Sequence, residues 1–147
     1  MARFSLSATP VDTATLRANL LDDRVGAYVG FEGGVRDHHE GRPVTGLRSE
    51  AYATLAASEG ERILDEASAR YEILDVHCVH RVGDLAIGEL AVWVGVTAAH
   101  RDAAFAACRF VIDEVKARVP IWKHEAYAEG DAGWLHPRLA EPPPPVQ

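Results

Sequence analysis

Two residues stand apart by type. The chain of 147 residues carries 13 arginines and only two lysines, Lys116 and Lys123. Arginine keeps its proton at any physiological pH, whereas a lysine amine can lose one and act as a base or nucleophile. Two lysines seven positions apart, in a chain that otherwise uses arginine, are therefore the first candidates for chemistry. An arginine-biased composition that left two lysines by chance would give the same count. Lys116 near Lys123 and arginines has its ammonium form disfavoured by like charge. That favours the neutral amine which general-base or nucleophilic work requires. Lys116 also falls in what reads as the last turn of a helix, where a cation is stabilised. The two effects oppose each other.

Other cations mark element ends. Arg36 closes the glycine-bearing stretch Phe31-Glu-Gly-Gly-Val-Arg, and His100 and Arg101 open the longest helical pattern. A helix N-terminus presents free N–H groups to an anion, and Arg36, Arg101 and the lysines add charge-assisted hydrogen bonds. Together they suit a small phosphate or carboxylate, although a solvated surface charge accounts for any one of them alone. Spacing constrains the arrangement. His100 and Lys116 are 16 positions apart, or about 24 Å along one straight helix. A small pocket in one chain does not hold both. The expected solution is a homodimer in which His100 and Arg101 of one protomer meet Lys116 and Lys123 of its partner.

Other chemistries find less support. His38 and His39 fall in a polar loop, while His77 and His80 lie three apart in a strand and hence on opposite faces. No histidine pair has i,i+4 spacing and no Cys-x-x-Cys is present, so no metal site is expected. His80, with Arg81 before Gly83, reads as structural or half-buried. Cys78 shares a strand face with Val76 and His80 and reads as core. With Cys108 it makes two buried thiols suited to a reducing compartment. The net charge of −7 disfavours generic nucleic-acid binding. The apolar run from Leu85 to Ala99 contains Glu89 and falls short of the ~20 residues of a membrane span. The N-terminus has no apolar core of signal-peptide length. A cytoplasmic protein without nucleic-acid or membrane partners is the expectation.

The elements that must position these residues follow from periodicity. Ala2 to Ser7 reads as a strand. Thr9 then reads as the N-cap, and Pro10 as the first turn, of a helix ending near Asp23. Gly26 to Val35 alternates as a strand, Arg36 to Pro43 is a polar loop, and Val44 to Tyr52 is a strand. Thr54 to Tyr71 is helical. Ile73 to Val82 and Glu89 to Thr97 form a hairpin pair joined by a turn near Gly83 and Gly88. His100 to Arg118 is the clearest helix, with Phe105, Cys108, Ile112 and Val115 in one stripe. Pro120 stops it, and Ile121 to Tyr127 is a last extended segment. Trp93 and Trp122 fall in strands as packing residues. The predicted class is α+β, antiparallel sheets with helices packed on them. The domain spans 1–136, and 137–147 is a proline-rich, mobile tail.

The residues singled out occur in order as Phe31-Glu-Gly-Gly-Val-Arg36, Glu50-Ala-Tyr52, His80-Arg-Val-Gly83, Ala99-His-Arg101, Ala104-Phe105 and Pro120-Ile-Trp-Lys-His-Glu125. As a set, from about Val25 to Trp134, they resemble the large, catalytic subunit family of molybdopterin synthase. The resemblance implies an α/β hammerhead fold and a sulfurtransferase of molybdenum cofactor biosynthesis. In that family two sulfurs pass from the C-terminal thiocarboxylate of a small ubiquitin-like partner to cyclic pyranopterin monophosphate, forming the dithiolene of molybdopterin. It also implies a homodimer core within a heterotetramer, and no metal or redox cofactor. By this resemblance Gly34, Val35, Arg36, His100 and Arg101 line the substrate phosphate site. Lys116 matches the essential lysine, and Lys123, His124 and Glu125 match a second lysine segment. Lys116 and Lys123 are thus the expected catalytic pair, and Arg138 is a further arginine to consider. His124 and Ser49 depart from the family pattern. A module that docks the sulfur carrier without turnover is an alternative, against which the retention of both lysines argues. A metal-binding protein, suggested by seven histidines, is another.

Overall fold

In chain order the elements are β1 (Phe4–Ser7), α1 (Thr13–Leu20), β2 (Ala27–Gly34), β3 (His38–His39), β4 (Arg42–Ala51), α2 (Ala53–Arg70), β5 (Asp75–Arg81), β6 (Gly83–Leu85), β7 (Leu90–Ala98), α3 (Arg101–Arg118), β8 (Ile121–Tyr127) and β9 (Asp131–Leu135). The computed structural model describes residues 2–128 and the backbone of 131–135. The tail from 137 to 147, Arg138 included, lies outside the described residues, as does the end of the proposed 1–136 domain.

Strand β7 organises the core because it is buried on both faces. Its alternate side chains separate into two sets. Val92, Val94, Val96 and Ala98 join Phe4, Val76 and Cys78 beneath α2 and α3, which contribute Ile63, Leu64, Ala67, Ala104, Ala107, Val111 and Val115. Trp93 points the other way and packs with Leu20 and Val79 under α1. Burying each such large side chain contributes about 1.5–3 kcal/mol.

The first sheet has the order β1-β5-β7-β2, and the second runs β3-β4-β8-β9 with β6 also on β4. The pairs β2–β7, β5–β7, β4–β8 and β8–β9 are antiparallel, while β1 lies parallel to β5. The chain is therefore of the expected α+β class. No helix among the described residues is long and apolar enough to cross a membrane.

Several boundaries differ from the sequence expectation. The first helix is capped by Asp12, whose carboxylate accepts from the Thr15 amide at 3.2 Å and the Thr15 hydroxyl at 2.8 Å. Thr9 is occupied earlier, in a local turn where its carbonyl accepts from the Ser7 hydroxyl at 2.7 Å. The 36–43 loop contains a two-residue hairpin, β3 against the start of β4, closed by Glu40 and Gly41 at φ 51° and 78°. Such positive φ values at both central residues suit the right-handed twist of paired strands. Gly83–Leu85, read as a turn, pairs with Leu47–Ser49 as β6. On α3 the buried stripe is Ala104, Ala107, Cys108, Val111 and Val115. Phe105 is 60% exposed rather than part of it. Small alanines at the stripe's centre let the helix lie close on β2 and β7, which turns Phe105 outward.

Candidate active site

Helix α3 ends where Pro120 cannot continue it. The chain reverses tightly there: the Val119 amide donates to the Val115 carbonyl at 3.1 Å, and the Ile121 amide to the Val119 carbonyl at 2.8 Å. Lys116 in the last helical turn and Lys123 in β8 thereby come to one cavity of about 20 Å³. It is walled by Val92, Ile112, Val115 and Ile121 and by His80. Lys123 pairs with Ser49 and Ile121 with Ala51 across to β4. Ser49 and Ala51 are buried, so this is the inner face of the second sheet.

The lysine electrostatics follow from those neighbours. The Lys116 amine is pulled down to about 8, first by desolvation among the apolar walls, then by the charge of Lys123 and a hydrogen bond between the two amines. The helix C-terminus, which favours the cation, acts in the opposite direction. Lys116 is nevertheless exposed to solvent, which weakens desolvation and screens the charge–charge contribution without changing the sign of either.

Among the described residues no carboxylate pairs with the candidate lysines or with Arg36 and Arg101. Arg3, Arg24, Arg48, Arg62, Arg81, Arg109 and Arg118 each hold an acidic partner. Among the described residues Arg36, Arg101, Lys116 and Lys123 form no ion pair.

Arg36 lies toward the lysine end of the first sheet. Gly33 pairs with Val92 and Gly34 with Leu90, and Val92 walls the lysine cavity. Val35 anchors this strand end: its side chain packs with Leu47, Leu85 and Ala91. Its amide donates to the Glu89 carbonyl at 2.9 Å, and its carbonyl accepts from the Gly88 amide at 2.9 Å. Gly34 and Arg36 are exposed beside it. His100, the N-cap of α3, and Arg101, its first residue, sit at the opposite helix end, about 24 Å from Lys116 along the axis. One chain therefore does not bring them to the lysines.

The sequence profile described as MoaE protein matches residues 6–118. The chain belongs to this family. It is 39% identical over 134 residues to the molybdopterin synthase catalytic subunit of Synechococcus elongatus, covering 90% of this chain and 81% of the relative. The crystal structure of molybdopterin synthase from Staphylococcus aureus superposes with a TM-score of 0.85 at 32% identity, over 92% of this chain and 98% of that one. A chain from the complex of subunits 1 and 2 of molybdopterin-converting factor from Helicobacter pylori shares the fold, with a TM-score of 0.73 at 22% identity and 88% of both chains covered.

In this MoaE-family chain the side chains of Lys123-His124-Glu125 do not share one face. Strand alternation turns His124 to the face opposite Lys123, where its register neighbour is Arg48. Glu125 shares the Lys123 face but lies one pair further along. There it accepts from the Tyr127 hydroxyl at 3.2 Å and sits 3.9 Å from His39. His80, read from the sequence as structural or half-buried, is buried and also forms part of the cavity wall. Alternation through Val76, Cys78 and His80 was the available signal for its inward face. Cys78 is fully buried in the core, and burial pushes its thiol far up, as expected of a packing residue. Among the described residues no three His, Cys, Asp or Glu side chains are grouped to hold a metal ion.

Proposed function

We propose that this protein is the sulfurtransferase subunit of a molybdopterin synthase. It moves two sulfurs, one from each of two C-terminal thiocarboxylates of a small ubiquitin-like partner, to cyclic pyranopterin monophosphate. The observation that carries this reading is the pair of lysines, without carboxylate partners among the described residues, brought to one cavity in a MoaE-family chain. The thiocarboxylate tail and the phosphorylated pterin are both anionic. Unpaired cations therefore attract both, and fixed positive charge stabilises the oxyanion that develops at the acyl carbon.

Lys116 is the principal catalytic group. Its lowered proton affinity gives a neutral amine able to take up a proton near neutral pH. Lys123 supplies the adjacent positive charge. Arg36, with the exposed backbone at Gly34, His100 and Arg101 bind the substrate phosphate. Val35 holds the strand end that presents Arg36, and Glu125 and His124 flank Lys123 along β8. The separation of His100 and Arg101 from the lysines supports a homodimeric core, each phosphate site being completed by the partner protomer. The small subunits then bind outside that core to make a heterotetramer. Two free buried thiols fit a cytoplasmic, reducing setting.

The direct test mixes the protein with thiocarboxylated small subunit and cyclic pyranopterin monophosphate and measures molybdopterin. The unaltered chain forms product, and Lys116→Ala, still folded, does not. Undiminished dithiolene formation by Lys116→Ala removes Lys116 from the mechanism.

A further inference from the structure

His80 is a polar wall of the lysine cavity to which no role has yet been given. It ends the inward row Val76, Cys78, His80 on β5 and is 5% exposed. Its Nδ1 lies 2.8 Å from the Arg81 carbonyl. A carbonyl can only accept, so Nδ1 carries the hydrogen and Nε2 is left as a bare acceptor. Burial, with the charges of Lys116 and Lys123, pushes the imidazole down to about 4. The ring is therefore neutral at working pH and its tautomer is fixed.

The groups facing the cavity are few. Helix α3 contributes Ile112, Val115 and Lys116, the turn after it Val119, β7 Val92, and β8 Ile121 and Lys123. Among the described residues no carboxylate lines it, and the neighbouring Arg81 guanidinium is held by Glu89 at 3.1 Å. Among the described residues of the lining, the two lysine amines are donors and His80 is the one side chain with an acceptor, its Nε2. The cavity volume of about 20 Å³ is room for one water, which needs only about 10–15 Å³ by this measure.

We propose that His80 is a positioning residue of the lysine site: its Nε2 accepts a hydrogen bond from a water seated in the cavity, and that water accepts from the Lys116 amine. The relay fixes where the Lys116 amine points and supports its ammonium form against burial. It requires a neutral ring, because an imidazolium would place a third positive charge against the lysines. The catalytic meaning of this role rests on the function proposed above, but the role itself can be read without substrate.

With only two lysines in the chain, protein labelled with ¹³C-lysine gives two Cε resonances whose pH titrations report each amine. His80→Asn keeps an amide near the Arg81 carbonyl but withdraws from the cavity, whereas His80→Gln carries an amide oxygen to the Nε2 position. The expected result is a fall in the Lys116 midpoint of about one pH unit in His80→Asn, with His80→Gln close to the unaltered protein. The pH profile of sulfur transfer should move in parallel. An unmoved midpoint in His80→Asn, or equal shifts in both variants, overturns the proposal. If the midpoints move as expected while Lys116→Ala still makes molybdopterin, the functional assignment of Lys116 fails and the positioning role stands. If Lys116→Ala is inactive and the His80→Asn midpoint does not move, only the role of His80 fails.

Discussion

Replacing Lys123 by Gln should return the Lys116 amine toward ordinary behaviour. The amine titrates at about 8 instead of 10.5. At pH 7 roughly one tenth of it is neutral, against about one part in three thousand for an unperturbed lysine. Lys123→Gln removes the like charge and the amine–amine hydrogen bond but leaves the apolar walls, which are the larger cause. Two unit charges about 4 Å apart repel by about 1 kcal/mol in bulk water and about 4 kcal/mol at an effective dielectric of 20. The partial exposure of Lys116 places it toward the lower figure. The expected rise is about one pH unit, which cuts the neutral fraction at pH 7 about tenfold. The single Cε resonance left in ¹³C-lysine-labelled Lys123→Gln reads this without ambiguity of assignment. A midpoint at or below that of Lys116 in the unaltered protein would refute the coupling of the two amines. The same reasoning fixes the sign of the pH–rate profile: if the neutral amine works, sulfur transfer rises with pH through about 8. Lys116→Arg, which keeps charge but cannot release a proton, is then inactive. A rate that falls through that range assigns the work to the ammonium instead.

Four further outcomes are expected. Mixing Lys116→Ala chains with Arg101→Ala chains should restore molybdopterin formation to about a quarter of the unaltered level, since random exchange makes half the dimers mixed, each with one complete site. No recovery after demonstrated subunit exchange would place both residue sets in one protomer's site. Gly60→Ala, which in most helices adds about 1 kcal/mol of stability, should here cost about 1–3 kcal/mol by overpacking. The reason is that its Cβ would lie 2.2 Å from the Phe4 ring; urea unfolding checks this, and an unchanged or higher midpoint contradicts the packing. Arg118 binds Glu59 and Glu66 at 2.8 Å and Glu114 at 3.1 Å, so Arg118→Met should lose about 1–2 kcal/mol by leaving three carboxylates facing one another. Acid should mimic this in the unaltered protein. Arg118 holds the Glu66 carboxyl below its usual 4.5, so that contribution is present above 4.5 and is lost as pH falls through the folded value. A thermal midpoint that does not respond to pH in that range would exclude it.

Much of the framework is legible in local pattern. Alternation marks β2 and β7, and Pro120 marks the end of α3, because each signal lies within a few residues of the structure it specifies. The two lysines are visible by residue type alone, and helix rise alone separates His100 from Lys116. Other features depend on what lies alongside. Gly83–Leu85 has no strand period of its own and is a strand because β4 offers it an edge at Leu47–Ser49. Thr9 and Asp12 are both good caps by type, and the Ser7 turn decides between them. Phe105 fits an apolar stripe in sequence, but which side of α3 is covered depends on how closely its alanines approach β2. His80 and His124 show the division most plainly. Alternation gives each an inner or outer face, yet only the chain reversal at Val119 and Pro120 sets Lys116 and Lys123 against His80, while the pairing of β8 with β4 carries His124 away. Local sequence determines which residues can be charged, capped or buried. The tertiary structure decides which of them share a cavity, because desolvation and like-charge repulsion arise only between groups that folding has brought together.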